Sequence, residues 1–500
     1  MSRSTLWRCV LVGGMMAGGL PGGAAVAMAQ DQENEVVRRV NQPILRMTEA
    51  AKSWKILFDA FLDLTKAPSA SGRADVGFNL NTIHPRMSNW SQVSGWAETS
   101  PSLAQAILTV RDRVEIGLPY GDDIDQRYRS AGIYADLAVD GNLRDQDFAY
   151  LRVMDTIAAY VAAETYRLFE AQQTERALDL AIAHLYVVNQ LLRREFLVEK
   201  MHAMRLMSDC LELLRDQMFT YFDQFTLQQF SSESYKSADG KERKGIAFEL
   251  PFLRLDLLQM PEGDRVAASV LIDSVFDHNT QEAIPDRFAD TFGKIQSADA
   301  PFTMFGSQKR WKLVSRFHAS RLASQDQLTL VYDDWWRRWS IRAWHPLLEL
   351  TPQYQRTNPV RFAVVTYSLR DLADIFVLRR QLTAAANATA VAAGICGYRK
   401  QFGNEPDDLE KVYTTYVRRR SDMDPFDKEG KGFGYRRVAR LQVNAEALDD
   451  FVTVTGGLLW AKGNDLASQR GERHSRDGLT GDIVYWPPLR VLARQQGLMR

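Results

Sequence analysis

The side chains best suited to chemistry in this 500-residue chain sit in the run Tyr332-Asp333-Asp334-Trp335-Trp336-Arg337-Arg338-Trp339-Ser340-Ile341-Arg342-Ala343-Trp344. On a helix Tyr332, Trp336 and Trp339 align, and Arg338 and Arg342 form a second row. Exposed rings of this kind would stack on a sugar or a base while arginine supplies hydrogen bonds. Buried, the same indoles would fill a junction inside the core, and that packing role is the one expected. Asp273, Asp277 and His278 have the types used in hydrolysis. No serine or metal-ligand motif surrounds them, so surface charge on a helix is the expectation. His184 and His202 fall on one expected helix, too far apart to chelate one metal. His84 has no partner nearby in sequence and is expected to be structural. Cys210 and Cys396 lie on apolar helical faces in different expected domains and are expected to be free, buried thiols.

The stretch from Leu378 to Trp486 holds the elements that would position a further polar loop. Leu378, Leu382, Ala385, Ala388, Ala392 and Ile395 recur at steps of three and four, one small-residue face of a helix able to lie close to a sheet. Gly403 fits its stop, and Pro406 forbids continuation. Asp407-Asp408-Leu409-Glu410 starts a second short helix, its carboxylates favoured by the helix dipole. Val452-Thr453-Val454 and Leu458-Leu459-Trp460 are expected to be strands joined in a tight hairpin at Gly456-Gly457. Gly481-Asp482-Ile483-Val484-Tyr485-Trp486 is a third strand, closed by Pro487-Pro488.

The order of Tyr398, Gly403, Pro406, Leu409, Asp424-Pro425-Phe426, Gly463, Asp465, Asp482 and Ile483 resembles the C-terminal half of the type II secretion major pseudopilin. As a general plan, the whole chain also resembles large, uncharacterised bacterial secreted proteins in which a helical body precedes such a tail. The resemblance implies a calcium ion in the loop before the last strand, held by carboxylates and main-chain carbonyls. By position Asp465 and Asp482 match, and Asp477 lies in the loop between them. A polar loop with carboxylates and free carbonyls suits calcium, which takes six to eight oxygens in irregular geometry. Two departures stand against the transfer: Leu466 replaces the family's usual Gly, and Arg470, Arg473, His474 and Arg476 lengthen the interval and repel a cation. The alternative is a solvated loop whose acids pair with those arginines. The family's Gly-Phe-Thr-Leu-x-Glu leader is not found in the sequence, so a pilus subunit is not expected.

Residues 1–29 have the form of an export signal: basic Arg3 and Arg8, an uncharged run, and a small-x-small site at Ala27-Met28-Ala29. Cleavage after Ala29 and a periplasmic or extracellular address follow. No later run is apolar enough to span a bilayer. Lys plus Arg and Asp plus Glu both total 62, so no overall field draws the protein to nucleic acid. Hydrophobic residues at 45% and charged residues at 25% are those of a folded globular protein. Helices are expected from Glu33 to about Leu64, with a kink or split at Pro43, from Leu143 to Glu170 and from Glu175 to Phe222, the last two an antiparallel pair. Asp264–Phe276 and Pro285–Ile295 are expected to be helical as well.

These readings combine into a mostly α protein with a C-terminal α+β module, its long helix packed on a small antiparallel sheet. The expected segments are 30–235, a helical body; 236–359, a second helical region with the tryptophan-rich helix; and 360–500, the pseudopilin-like domain. The expected role is a non-catalytic envelope scaffold with protein partners, secretion machinery among them. The alternative is an extracytoplasmic hydrolase or glycan-binding protein using Trp335, Trp336 and Trp339.

Overall fold

Alanine and glycine run along the helix that joins the two parts of this chain, and their size sets how closely those parts approach. The computed structural model describes residues 35–68, 80–121, 123–137, 142–237, 239–299, 307–341, 344–413, 415–417 and 423–499. The expected export signal and Arg342 of the tryptophan run lie outside these residues.

The helical body forms as the apolar periodicity demands, with corrected boundaries. A helix over 35–46 buries Val36, Val40 and Ile44 at steps of four. It runs through Pro43, and the split comes after residue 46 instead. There Ser53 and Trp54 donate their backbone N–H groups to Glu115 O and Ile116 O, at 3.0 and 2.9 Å, before the next helix, Trp54–Leu62. The centre of the body is three consecutive helices, α1 Tyr150–Glu170, α2 Thr174–Leu191 and α3 Leu197–Thr220. The turn between α1 and α2 falls at the expected polar linker, with Gln172 at φ 57°.

The single helix expected from Glu175 to Phe222 is broken between α2 and α3, and the reason is a buried arginine. Arg194 is 4% exposed. It donates Nε to Glu199 at 2.9 Å and lies 3.9 Å from the centroid of the Tyr120 ring. A continuous helix could not turn this guanidinium inward while Glu199 also accepts from Phe196 N (3.2 Å), capping α3. Asp264 supplies the next cap, Oδ2 accepting from Leu197 N at 2.7 Å.

Beyond the body come helices Gly263–Val275 and Pro285–Asp299, then α4 Arg321–Ser340 and α5 Ala373–Phe402. Gly403, at φ 76°, ends α5 in the left-handed conformation that glycine adopts without strain. Between Leu382 and Gly397, α5 is buried on nearly every side, whereas the periodicity had implied one apolar face. One side meets α3, and the rest meets the short helices between Leu227 and Leu253 together with strands of the C-terminal sheet. Alanine at Ala384, Ala385, Ala388, Ala392 and Ala393 makes this double contact possible, since larger side chains would push one partner away.

The sheet comprises β1 Gly434–Ala445, β2 Asp450–Ala461, β3 Arg473–His474 and β4 Ile483–Trp486, in the order β3-β1-β2-β4. β1, β2 and β4 pair antiparallel, and the two-residue β3 adds a parallel edge. The expected turn at Gly456-Gly457 is a correction: β2 runs straight through both glycines, and the chain reverses at Glu446–Leu448. The pair lies opposite Arg437 and Val438, where β1 carries a bulge between Val438 and Leu441, with Gly456 at φ 91° and the Gly457 N–H donating to the Glu405 carboxylate.

The period-2 alternation of strands divides the sheet's side chains between two cores. Leu459, Ala461, Ile483 and Tyr485 join the main apolar cluster, which continues through the body to Val36. Leu458, Trp460 and Val484 face the opposite way and form a smaller cluster with Leu489 and Ala493 of the last helix, α6 Leu489–Gln495. The main cluster draws on all three expected segments, and the hairpin Ser234–Lys236/Glu242–Lys244 lies across the 235/236 boundary. The fold is thus mostly α with a C-terminal sheet module. Among the described residues no helix is long and apolar enough to cross a membrane.

Two predictions follow from this packing. A Cβ added at Gly394 would lie 2.4 Å from Val417 Cγ2 and 2.6 Å from Val412 Cγ1, short stiff side chains that cannot swing away. Gly394→Val therefore costs about 2 kcal/mol or more, while Gly95→Ala, in a helix with open space around it, gains about 0.5–1 kcal/mol; urea unfolding measures both. Asp264 is 2% exposed with Oδ1 unpartnered, and burial pushes its carboxyl from an ordinary value near 3.8 up to about 6. The folded state then keeps a proton that the unfolded chain has released, so stability falls by about 3 kcal/mol as pH rises from about 4 to about 6. Asp264→Asn should flatten that part of the stability–pH curve.

Candidate cation site in the C-terminal loop

The tryptophan run sits at the end of α4, and its large rings turn inward. Trp335 and Trp339 are 1% and 3% exposed. Tyr332 and Tyr354 cover Trp335, at centroid distances of 5.2 and 5.5 Å. Phe376 meets Trp339 edge-on at 5.4 Å, while the Arg379 guanidinium lies 4.2 Å from its ring centroid. Trp339 donates Nε1 to Leu258 O (2.6 Å), Trp336 donates to Glu262, and Arg338 is paired with Asp334 at 2.8 Å. These are core contacts, the packing role expected of them.

The other sequence candidates resolve individually. Asp273 pairs with Arg321 at 2.8 Å, and Asp277 caps a turn by accepting from the N–H groups of Asn279 (2.8 Å) and Thr280 (2.9 Å). His184 and His202 stand on α2 and α3 rather than on one helix. His202 meets Asp155 at 2.9 Å, and His184 Nδ1 lies 3.6 Å from Cys210 Sγ. Cys210 and Cys396 are free and buried. Burial raises both thiols well above their ordinary range, which leaves them protonated and inert.

The loop from Lys462 to Asp482 is different. Asp482 is 0% exposed at the entrance to β4. Its Oδ2 accepts from Gly471 N at 2.6 Å, but Oδ1 is buried with no hydrogen-bond partner. Burial pushes its carboxyl up to about 7; the Gly471 and Gln469 N–H groups oppose the shift, and the negative charges of Asp465 and Asp424 add to it. Asp482 thus feels the charge of two other carboxylates. Asp465 Oδ1 accepts from Ala467 N (3.1 Å) and Oδ2 from Gln469 Nε2 (2.9 Å). Asp424 is 3% exposed and accepts from Phe426 N (2.8 Å) and Lys462 N (3.0 Å). Asp477 is spent elsewhere, its Oδ1 accepting from Ser475 Oγ at 2.6 Å and Leu479 N at 3.0 Å. Of the three expected ligands, Asp465 thus adds its charge at Asp482, and Asp477 serves as a local cap.

The chemistry of the donor set fits a hard cation in part. An orphaned buried carboxylate oxygen, with a second acid beside it, lacks the positive charge that buried anions ordinarily require. Against this, no three acid, His or Cys side chains among the described residues converge as a metal-ligand set. Any ion here would draw most of its oxygens from main-chain carbonyls and water. The arginines of the loop do not supply the missing charge to Asp482. Arg476 instead reaches the body, pairing with Asp209 at 2.6 Å.

That contact belongs to a latch between module and body that sequence reasoning missed. Arg490 of α6 pairs with Asp216 of α3, which is 0% exposed, and donates to Asn81 Oδ1 at 2.6 Å. Arg215 of α3 donates to Thr389 of α5 and lies 5.1 Å from the Tyr485 ring centroid in β4. Each partner is remote in sequence, so no spacing could announce the pairing. Asp424 carried a signal, the Asp-Pro-Phe of the tail, without having been read as part of the site.

No protein-family model matches the chain, and neither a curated protein nor a solved structure matches it.

Removing Arg490 alone should be costly, because Asp216 is then left buried and unpaired. Arg490→Gln is expected to destabilise the protein by about 3–5 kcal/mol, and adding Asp216→Asn should restore a substantial part of that loss. Chemical denaturation of both single variants and the double variant reads the coupling.

Proposed function

We propose that this chain is an exported, non-catalytic envelope protein: a helical scaffold that carries a pseudopilin-like C-terminal module, holds calcium in the module's last loop, and meets protein partners of the secretion machinery through it. The envelope address rests on residues 1–29 as read from the sequence, and the partner class rests on the resemblance of the tail. The observation that carries the calcium reading is the unpartnered, buried Oδ1 of Asp482 beside Asp465. Asp482 and Asp465 would hold the ion, with main-chain carbonyls completing its oxygen set. Bound there, calcium neutralises the buried charge and ties the loop to the last strand.

For the glycan or hydrolase alternative, the rings of Trp335 and Trp339 are taken up by Tyr332, Tyr354, Phe376 and Arg379, which leaves the half-buried Trp336 as its ring.

Thermal unfolding of the full mature chain, with calcium and then with chelator, tests the ion. Calcium at 100 times its dissociation constant should add about 2.7 kcal/mol if it binds only the folded state. Asp482→Asn should abolish the gain, and Asp477→Asn should leave it in place. An absent calcium effect in the unmodified protein, or an equal gain in Asp482→Asn, contradicts the site. The address has its own check: protein recovered from the cell envelope should begin at Gln30, and retention of residues 1–29 would refute the cleaved signal.

A further inference from the structure

We propose a second ligand site, independent of the calcium loop, in the cleft where α6 meets the body. It takes a small organic acid whose anionic head lies between Arg86 and Arg494 and whose ring or apolar part rests on Tyr221, backed by the buried Tyr166. The cleft has a volume of about 260 Å³, with His84, Arg86, Tyr166, Tyr221 and Arg494 in its lining. That is slightly below the range of drug-sized pockets and suits a ligand with a single ring.

The charge balance of the cleft is positive. Arg494 donates Nη2 to Asn81 O at 3.1 Å, while its Nε is buried without a partner. Asp216 also acts on it, but that carboxylate is 0% exposed behind the cleft and is hydrogen-bonded to Arg490. Arg86 is exposed and has no carboxylate partner among the described residues. Glu170 also lines the cleft, accepting from Trp90 Nε1 at 2.7 Å, so two guanidiniums stand against one carboxylate. His84 reports the resulting field. Burial, followed by the charges of Arg494, Arg490 and Arg86, pushes its imidazole down to about 4. Its Nδ1 accepts from Arg86 N at 3.2 Å, which puts the neutral ring's proton on Nε2 as a further donor. An anion entering the cleft would meet two guanidiniums and this imidazole N–H, an arrangement suited to a carboxylate or a phosphate monoester.

The aromatic part of the lining is held rigid. Tyr221 stacks on Phe169 at 4.8 Å, and Trp90 stands edge-on to Tyr166 at 6.4 Å. Fixed in this way, the half-buried Tyr221 offers apolar surface at little cost in side-chain entropy.

Calorimetric titration of the full mature chain, in chelator so that the calcium loop plays no part, tests the site with benzoate, phenyl phosphate, inorganic phosphate and benzyl alcohol. Benzoate or phenyl phosphate should bind, more tightly than inorganic phosphate, and benzyl alcohol should not. Arg86→Gln changes an exposed side chain and should weaken that binding at least about tenfold, the loss expected for one charge-assisted hydrogen bond. Arg494→Gln should weaken it likewise. The proposal is overturned if neither organic acid binds, if inorganic phosphate or benzyl alcohol binds as tightly as they do, or if Arg86→Gln leaves binding unchanged.

Discussion

The close approach permitted by α5 is the constraint on which the rest of this structure depends. From Leu382 to Gly397 this helix is a wall between α3 and the short helices of residues 227–253 on the body side and the C-terminal sheet on the other. A helix lined with leucine would keep those neighbours farther apart, and neither Arg215 could reach Thr389 nor the sheet continue the body's core through Tyr485. Small side chains bury little area each, so the stabilisation comes from dense contact on both sides. The module is consequently built into the body, although its strands and last helix keep a small core of their own.

Charge is buried wherever the chain must hold an irregular shape. Arg194 and Glu199 fix the break between α2 and α3, and Asp264 caps the helix that follows. Arg490 and Asp216 fix α6 against the body. Such pairs add little net stability over well-packed apolar groups but penalise any arrangement that separates them. Asp482 breaks this pattern, as a buried carboxylate whose neighbours are other acids. That exception is what singles out the loop, and the latch holds the same loop against the body through Arg476 and Asp209.

The parts of this fold written in local periodicity were legible in the sequence. The α1–α2 turn, the end of α5 at Gly403, the last strand, and the interior position of Trp335 and Trp339 all follow from spacing and residue type. The failures have a common cause, a distant partner that overrides the local signal. Gly456-Gly457 has the composition of a hairpin turn, yet Glu405 and Tyr435 occupy the space beside it and the pair stays within β2, opposite the start of a bulge in β1. Glu175 to Phe222 has the pattern of one helix until Arg194 turns inward to the Tyr120 ring and the Leu118 carbonyl. In the loop, position alone suggested Asp465, Asp477 and Asp482 as equals. Hydrogen bonding separates them, because Ser475 and Leu479 claim Asp477 while Asp482 keeps a free oxygen.

Native-state hydrogen exchange across α3 and α5 tests most directly whether body and module form one cooperative unit. If the shared wall of alanine governs the fold, the amides of Leu206–Leu214 and of Ala384–Gly397 should open with the same free energy and the same denaturant dependence, as parts of one unfolding event. Exchange of the α5 amides at a distinctly lower free energy, with α3 still protected, would mean that the module opens alone and would contradict the account.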